Sequence, residues 1–126
     1  MCIDDNVALV DALERRLMLE PGFTQLHRLI DFDDAIGSVA RAHPSIVVLD
    51  IDLPNGMDAL SILGDIVAQV PESRVIILTG HPTAALVAQS MSIGAWGFVS
   101  KGVRADRLIE SIHRVLRGEA VIELHD

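Results

Sequence analysis

Reactive side chains follow short apolar stretches at four places in this 126-residue sequence. They are the pair Asp4-Asp5, then Asp50, then Thr79 and then Lys101. If the apolar stretches are parallel strands, their carboxyl ends meet at one edge of a sheet, where open α/β sheets bind ligands. Three carboxylates, one hydroxyl and one ammonium are therefore expected to lie together.

This set of groups predicts magnesium binding and phosphoryl transfer. Crowded carboxylates raise one another's pKa unless a cation lies between them. Oxygen ligands select a hard cation, and Mg²⁺ fits because one or two carboxylates commonly hold it together with phosphate and water. Thr79 and Lys101 then remain for the phosphoryl oxygens, in a reaction that depends mainly on positioning and charge neutralisation. Asp50 is the best candidate nucleophile, since a carboxylate can form an acyl phosphate.

The elements that must position these groups alternate along the chain. The predicted strands are Met1–Ile3, Phe23–Ile30, Ile46–Leu49, Arg74–Leu78 and Gly94–Val99. The predicted helices are Val7–Leu19, Asp33–Ala42, Ala59–Val70, Thr83–Ile93 and Arg104–Arg117, each with apolar residues at helical spacing or with a cap or breaker at its ends. Five such β-α units predict a single α/β domain over residues 1–126, with one parallel sheet, helices on both faces and right-handed crossovers.

Composition limits the classes of function. Half of the residues are hydrophobic, but the apolar runs are too short to span a bilayer, and no signal peptide is evident. The formal net charge of −8 argues against direct nucleic-acid binding, which needs clustered Lys and Arg. The single cysteine, Cys2, excludes an internal disulfide and is consistent with a cytoplasmic location.

The ordered set of motifs resembles the receiver domain of two-component response regulators over nearly the whole chain. The matching segments are Asp4-Asp5, Asp50-Ile51-Asp52-Leu53-Pro54, Ile77-Leu78-Thr79-Gly80 and Phe98-Val99-Ser100-Lys101. The resemblance implies a flavodoxin-like (βα)5 fold and a phosphoacceptor, not a classical enzyme, that is phosphorylated by a sensor histidine kinase.

The resemblance also implies a role for each matching residue. Asp50 is the phosphoacceptor, and Thr79 and Lys101 bind the phosphoryl oxygens. Asp5 binds Mg²⁺ directly and Asp4 binds it through water, while Asp50 and the backbone carbonyl of Asp52 complete the protein ligands. The side chain of Asp52 has an equally good interpretation as a solvated loop acid. Phe98 matches the aromatic switch position, and His81, just past Thr79, is a candidate influence on phosphoryl loss.

Three features depart from the receiver pattern. Only three residues precede Asp4, so the first strand is short. Gly102 follows Lys101 where many receivers have proline, often after a cis peptide bond. The loop after Asp50 contains one extra residue, and Ala59 stands where a glycine usually opens the next helix.

The sequence leaves two other functions open. Asp50-Ile51-Asp52 also resembles the DxD motif of haloacid-dehalogenase-type phosphatases, although that motif usually follows the first strand. The other open function is that of a receiver that acts only as a phosphorylation-independent dimerisation module. The segment Leu108–Glu119 resembles receivers that precede a LuxR-type helix-turn-helix. We therefore expect either a fragment of a longer regulator or a stand-alone receiver, with a helix-turn-helix output domain and a second copy of the chain as candidate partners.

Overall fold

The apolar stretches of the sequence form one parallel sheet. The computed structural model describes residues 1–29 and 31–125. Its strands are β1 (Cys2–Ile3), β2 (Ile46–Asp50), β3 (Arg74–Thr79), β4 (Gly97–Ser100) and β5 (Val121–Glu123), all paired in parallel in the order β1-β2-β3-β4-β5. The helices are α1 (Val7–Leu17), α2 (Ala35–Ala42), α3 (Ala59–Gln69), α4 (Ala84–Ile93) and α5 (Ala105–Leu116). The predicted α/β class and five-stranded parallel sheet are confirmed.

Helices cover both faces of the sheet. One apolar cluster packs α1 and α5 on side chains such as Val48, Ile76 and Val99. The other packs α2, α3 and α4 on the alternate residues, such as Val47, Ile77 and Phe98. Strands buried on both faces explain the continuous apolar runs around β2 and β3. No helix in residues 1–29 and 31–125 has the length and apolar character needed to cross a membrane.

Local sequence signals set most helix ends to within two residues of prediction. Asn6 begins α1 by accepting a hydrogen bond from the Leu9 N–H, and Asp58 begins α3 by accepting from the Leu60 and Ser61 N–H groups. Thr83 caps α4 in the same way. Such caps satisfy N–H groups that have no partner inside the helix.

The predicted second strand over Phe23–Ile30 is wrong in extent. Within residues 23–29, the part of this stretch that the structure describes, only Arg28 forms a parallel bridge, with Cys2. The Cys2 N–H donates to the His27 carbonyl and the Leu29 N–H donates to the Cys2 carbonyl. Ile30 lies outside the described residues. Because β1 has just two residues, it offers too little backbone for a longer neighbouring strand to pair with.

The fifth strand of the sheet is instead β5, which follows α5 and was not predicted. The connections through α3, α4 and α5 each move the chain one strand along the sheet in the same direction. Yet α5 lies on the opposite face from α3 and α4. The connection from β4 to β5 therefore has the opposite hand to the other two, contrary to the expectation of right-handed crossovers throughout.

Candidate functional site

Three carboxylates meet at the carboxyl ends of β1 and β2. Asp4 directly follows β1, and Asp50 is the last residue of β2, which pairs with β1 through Ile3 and Leu49. One oxygen from each of Asp4, Asp5 and Asp50 lies within 4.8 Å of the others. Asp4 and Asp50 are buried, whereas Asp5 is exposed. The expected convergence of these three residues is thus present.

The ammonium of Lys101 lies against the two buried carboxylates. Its nitrogen is 3.2 Å from Asp4 Oδ2 and 3.3 Å from Asp50 Oδ1. Burial alone lowers the pKa of Lys101, but the negative charges of Asp4 and Asp50 beside the ammonium outweigh this effect and raise that pKa. Lys101 therefore remains protonated and neutralises part of the carboxylate charge.

Burial is the largest influence on Asp50. It raises the pKa of this carboxyl, and the charge of Asp4 adds to the effect. The backbone N–H of Asp52, which donates to Asp50 Oδ1 at 3.1 Å, and the ammonium of Lys101 oppose the increase. The balance still favours a raised pKa, so the charged form of Asp50 is held at a cost that a further cation would relieve.

Thr79 ends β3 beside this cluster. Its buried hydroxyl accepts a hydrogen bond from the His81 N–H at 3.1 Å and points its own proton toward Asp52 Oδ2 at 3.4 Å. The Thr79 carbonyl accepts from the Lys101 N–H at 2.7 Å, because Thr79 pairs with Ser100 across β3 and β4. The sheet register thus places Thr79 and Lys101 next to each other.

The donor set fits a hard cation. Asp4 Oδ2 is buried and, although it faces the Lys101 ammonium, accepts no hydrogen bond of good geometry. The other Asp4 oxygen accepts from the Asn6 N–H at 2.8 Å. A buried oxygen without a hydrogen bond is costly and is a natural ligand atom for a cation. The carboxylate of Asp52 is exposed and does not belong to the three-residue group found among the described residues.

Comparison with known proteins decides the family. The sequence profile of the response regulator receiver domain matches residues 1–113. The chain belongs to this family.

Proteins similar in sequence and solved structures similar in fold are also response regulators. The receiver is 30% identical over 122 residues to the transcriptional regulatory protein DegU of Brevibacillus brevis, a match that covers 95% of this chain and 50% of DegU. A LuxR-family two-component response regulator from Aurantimonas sp. aligns with a TM-score of 0.87 at 26% identity, covering 96% of this chain and 86% of that one. The response regulator domain of Thermotoga maritima CheB has the same fold, with a TM-score of 0.80 at 20% identity over 92% of this chain and 93% of its own.

The loop after Asp50, where the sequence predicts one extra residue, makes a tight turn. Pro54–Gly56 form a short 3-10 turn in which Asn55 and Gly56 adopt φ of 61° and 68°. These are left-handed conformations that Asn and Gly tolerate best. The chain then reaches Asp58, the cap of α3, so that buried Ala59 opens the helix without the usual glycine.

The Lys101-Gly102 peptide is trans, as are all described peptide bonds. Ser100 forms the turn there, since its hydroxyl accepts a hydrogen bond from the Gly102 N–H at 3.1 Å. Ser100 and Asn6 are the residues of the site that sequence reasoning missed. The available signals were modest: a serine before the lysine, and an asparagine at the expected start of a helix.

Proposed function

We propose that this receiver domain accepts a phosphoryl group on Asp50 in a reaction that requires Mg²⁺, and that phosphorylation changes the surface around α4, β4 and α5. The observation that carries the proposal is the burial of Asp50 between the carboxylate of Asp4 and the ammonium of Lys101. Such a carboxylate is a candidate nucleophile with one cation, Lys101, already in contact to neutralise charge and a second carboxylate, Asp4, available to help hold Mg²⁺.

The residues proposed to hold Mg²⁺ are Asp5, Asp50, the carbonyl of Asp52 and, through water, Asp4. When bound, Mg²⁺ supplies positive charge that offsets the carboxylates and an incoming phosphoryl group. The three clustered carboxylates and the one lysine leave two formal negative charges, which matches a divalent cation.

In the proposed transfer, an Asp50 oxygen attacks phosphorus and forms an acyl phosphate. The bond from phosphorus to the donor breaks at the same time: a P–N bond if the donor is the phosphohistidine of a sensor histidine kinase, a P–O bond if it is acetyl phosphate. The leaving group keeps the bonding electrons: the histidine leaves as neutral imidazole after taking a proton from solvent, and acetate leaves as the anion. Lys101 and the Thr79 hydroxyl are proposed to bind the new phosphoryl oxygens.

The change at the surface is proposed to be a population shift. Lys101 can exchange its contact with Asp4 for the phosphoryl group, and Thr79 can exchange Asp52 for it. Thr79 ends β3, which pairs with β4, and Lys101 directly follows β4, where Phe98 is fully buried. Movement of this edge is expected to alter the α4, β4 and α5 surface and its preference for partners.

The partners that we propose for this receiver are those expected for its family. The chain spans about half the length of DegU. We propose a sensor histidine kinase as phosphodonor, and a helix-turn-helix output domain or a second copy as the responding partner. A cytoplasmic location fits these partners, and the acidic receiver itself is not expected to bind nucleic acid.

The test is intact mass after incubation with acetyl phosphate. The expected result is one added phosphoryl group in the parent, which is absent without Mg²⁺ and absent in Asp50→Asn. Asp65→Asn, an identical change at an exposed position of α3, is the matched control and should still be modified. Sustained turnover of phosphate esters would favour a phosphatase. Neither adduct nor turnover would favour a phosphorylation-independent binding module.

A further inference from the structure

Strand β5 occupies the edge of β4 with a small contact. Gly97, Phe98 and Val99 pair with Val121, Ile122 and Glu123, and the Val121 N–H donates to the Trp96 carbonyl at 3.0 Å. Val121 is 1% exposed and packs into the cluster beneath α1 and α5, whereas Ile122 is 50% exposed. One buried side chain, three paired residues and the partly buried Leu124, which packs against the cluster on the opposite face, therefore provide most of the attachment.

The connection into β5 adds little to this attachment. Its crossover has the opposite hand to those through α3 and α4, a topology that proteins disfavour. Arg114 and Arg117 contact Glu119, and Arg114 reaches Glu123 at 3.6 Å. The two pairs with Glu119 are partly exposed, and the less exposed contact between Arg114 and Glu123 is long at 3.6 Å, so each contributes little stability.

The position of β5 joins it to the phosphoacceptor site through a single strand. Glu123 pairs with Val99, which lies two residues before Lys101, and Ile122 pairs with Phe98. On its other side β4 pairs with β3, where Thr79 is opposite Ser100. A backbone shift at Thr79 or Lys101 that accompanies phosphoryl binding would therefore be passed directly to the carboxyl end of β4, with which β5 pairs.

We propose that β5 is a displaceable strand that masks the edge of β4, and that phosphoryl transfer to Asp50 releases it. The inference rests on the proposed function for its trigger. Release would uncover unpaired N–H and C=O groups on the edge of β4. In the unphosphorylated molecule the chain's own residues 121–123 fill that place.

Two variants of β5 introduce the same charge, one at the buried position that holds the strand in place and one at a half-exposed position. Val121→Glu places a carboxylate in the buried position, and Ile122→Glu places the same charge at the half-exposed neighbour. Burying an unpaired charge is costly, so we expect amide exchange at Glu123 to accelerate at least about 10-fold in Val121→Glu. A surface change should stay within roughly 2-fold for the neighbouring β5 amides in Ile122→Glu. If Val121→Glu loses its helical circular dichroism, Val121→Ala gives the same comparison.

The coupling is tested on the whole chain with acetyl phosphate and Mg²⁺, following the Val121 amide by NMR and intact mass in the same sample. We expect its exchange to accelerate at least about 5-fold in the phosphorylated parent, and not in Asp50→Asn. Because coupling is reciprocal, Val121→Glu should also carry more phosphoryl group than Ile122→Glu at equal donor concentration. An adduct with unchanged Val121 exchange would overturn the displaceable strand and leave the proposed function intact. Absence of any adduct would remove the proposed function and its trigger together.

Discussion

Replacing Lys101 by methionine tests the electrostatic balance of the site. The ammonium lies 3.2 and 3.3 Å from the carboxylates of Asp4 and Asp50, whose side chains are 0% and 2% exposed. Removing one partner of a buried ion pair costs about 3–5 kcal/mol, because the remaining charge is left buried and unpaired. The lysine side chain is 24% exposed, so screening reduces this to about 2–3 kcal/mol of unfolding free energy.

The assay is thermal unfolding at neutral pH in EDTA and again in Mg²⁺. For a domain of this size, we expect the melting temperature of Lys101→Met to fall by roughly 6–15 °C in EDTA. Mg²⁺ should reduce the difference in melting temperature between the parent and Lys101→Met, because a bound cation replaces the missing positive charge and stabilises the folded state by mass action. Arg15→Met removes a cation from an exposed position of α1 and serves as the matched control. It should change stability by less than about 0.5 kcal/mol.

The difference in stability between the parent and Lys101→Met should depend on pH, and the pKa shifts fix the direction of that dependence. The folded pKa of Lys101 is raised, so its stabilisation is present below the ordinary pKa of 10.5 and is lost only as pH rises through the higher folded value. The pKa of Asp50 is also raised, so the penalty of its buried charge disappears as pH falls toward 3.8. The gap between parent and Lys101→Met should therefore persist at neutral pH and close in acid. A gap equal to that of Arg15→Met, or one that neither Mg²⁺ nor acid narrows, would refute the reasoning.

Other expectations follow from single contacts. In EDTA at neutral pH, Asp50→Asn should melt above the parent, because burial raises the pKa of Asp50 and the amide carries no charge; lower melting would contradict this. Asp58→Ala should lose about 1 kcal/mol in urea unfolding through loss of the α3 cap, and Asp58→Asn much less. Phe98→Ala should lose about 3–5 kcal/mol, since the ring is fully buried. The rate at which the phosphoryl group is lost from Asp50 should differ between the parent and His81→Ala. Equal rates would exclude an influence of this exposed side chain on that step.

The convergence of Asp4, Asp50 and Lys101 was predictable because one geometric rule governs it. Parallel strands present their carboxyl ends at one edge, so a polar residue after each apolar run must arrive there. The prediction required no knowledge of individual side-chain contacts. The same rule gives no information about Ser100, because its hydroxyl bonds to a backbone group two residues away. That contact depends on the local turn and not on the sheet.

The errors at the two edges of the sheet have a shared physical origin. Phe23–Ile30 has an apolar pattern, but its neighbour β1 is only two residues long, so pairing stops at Arg28. Val121–Glu123 is too short for a periodic signal and lies beyond a helix whose crossover hand is disfavoured. Edge strands depend on the length and position of a neighbour, whereas central strands such as β2 are determined by their own burial on both faces.

The charge inventory of the site explains why Lys101 is suited to a switch. It is the single lysine of the sequence, and it lies against Asp4 and Asp50 in a cluster that retains two negative charges after it is counted. A divalent cation on these carboxylates would weaken the hold of Asp4 and Asp50 on the ammonium. A phosphoryl group on Asp50 would then offer Lys101 a stronger counter-ion at the end of β4. Because only one lysine is present, labelling the protein with ¹⁵N-lysine should give one backbone amide resonance that reports each step. We expect it to shift with Mg²⁺ and again with acetyl phosphate, and a resonance that moves with neither would exclude Lys101 as the group that exchanges partners.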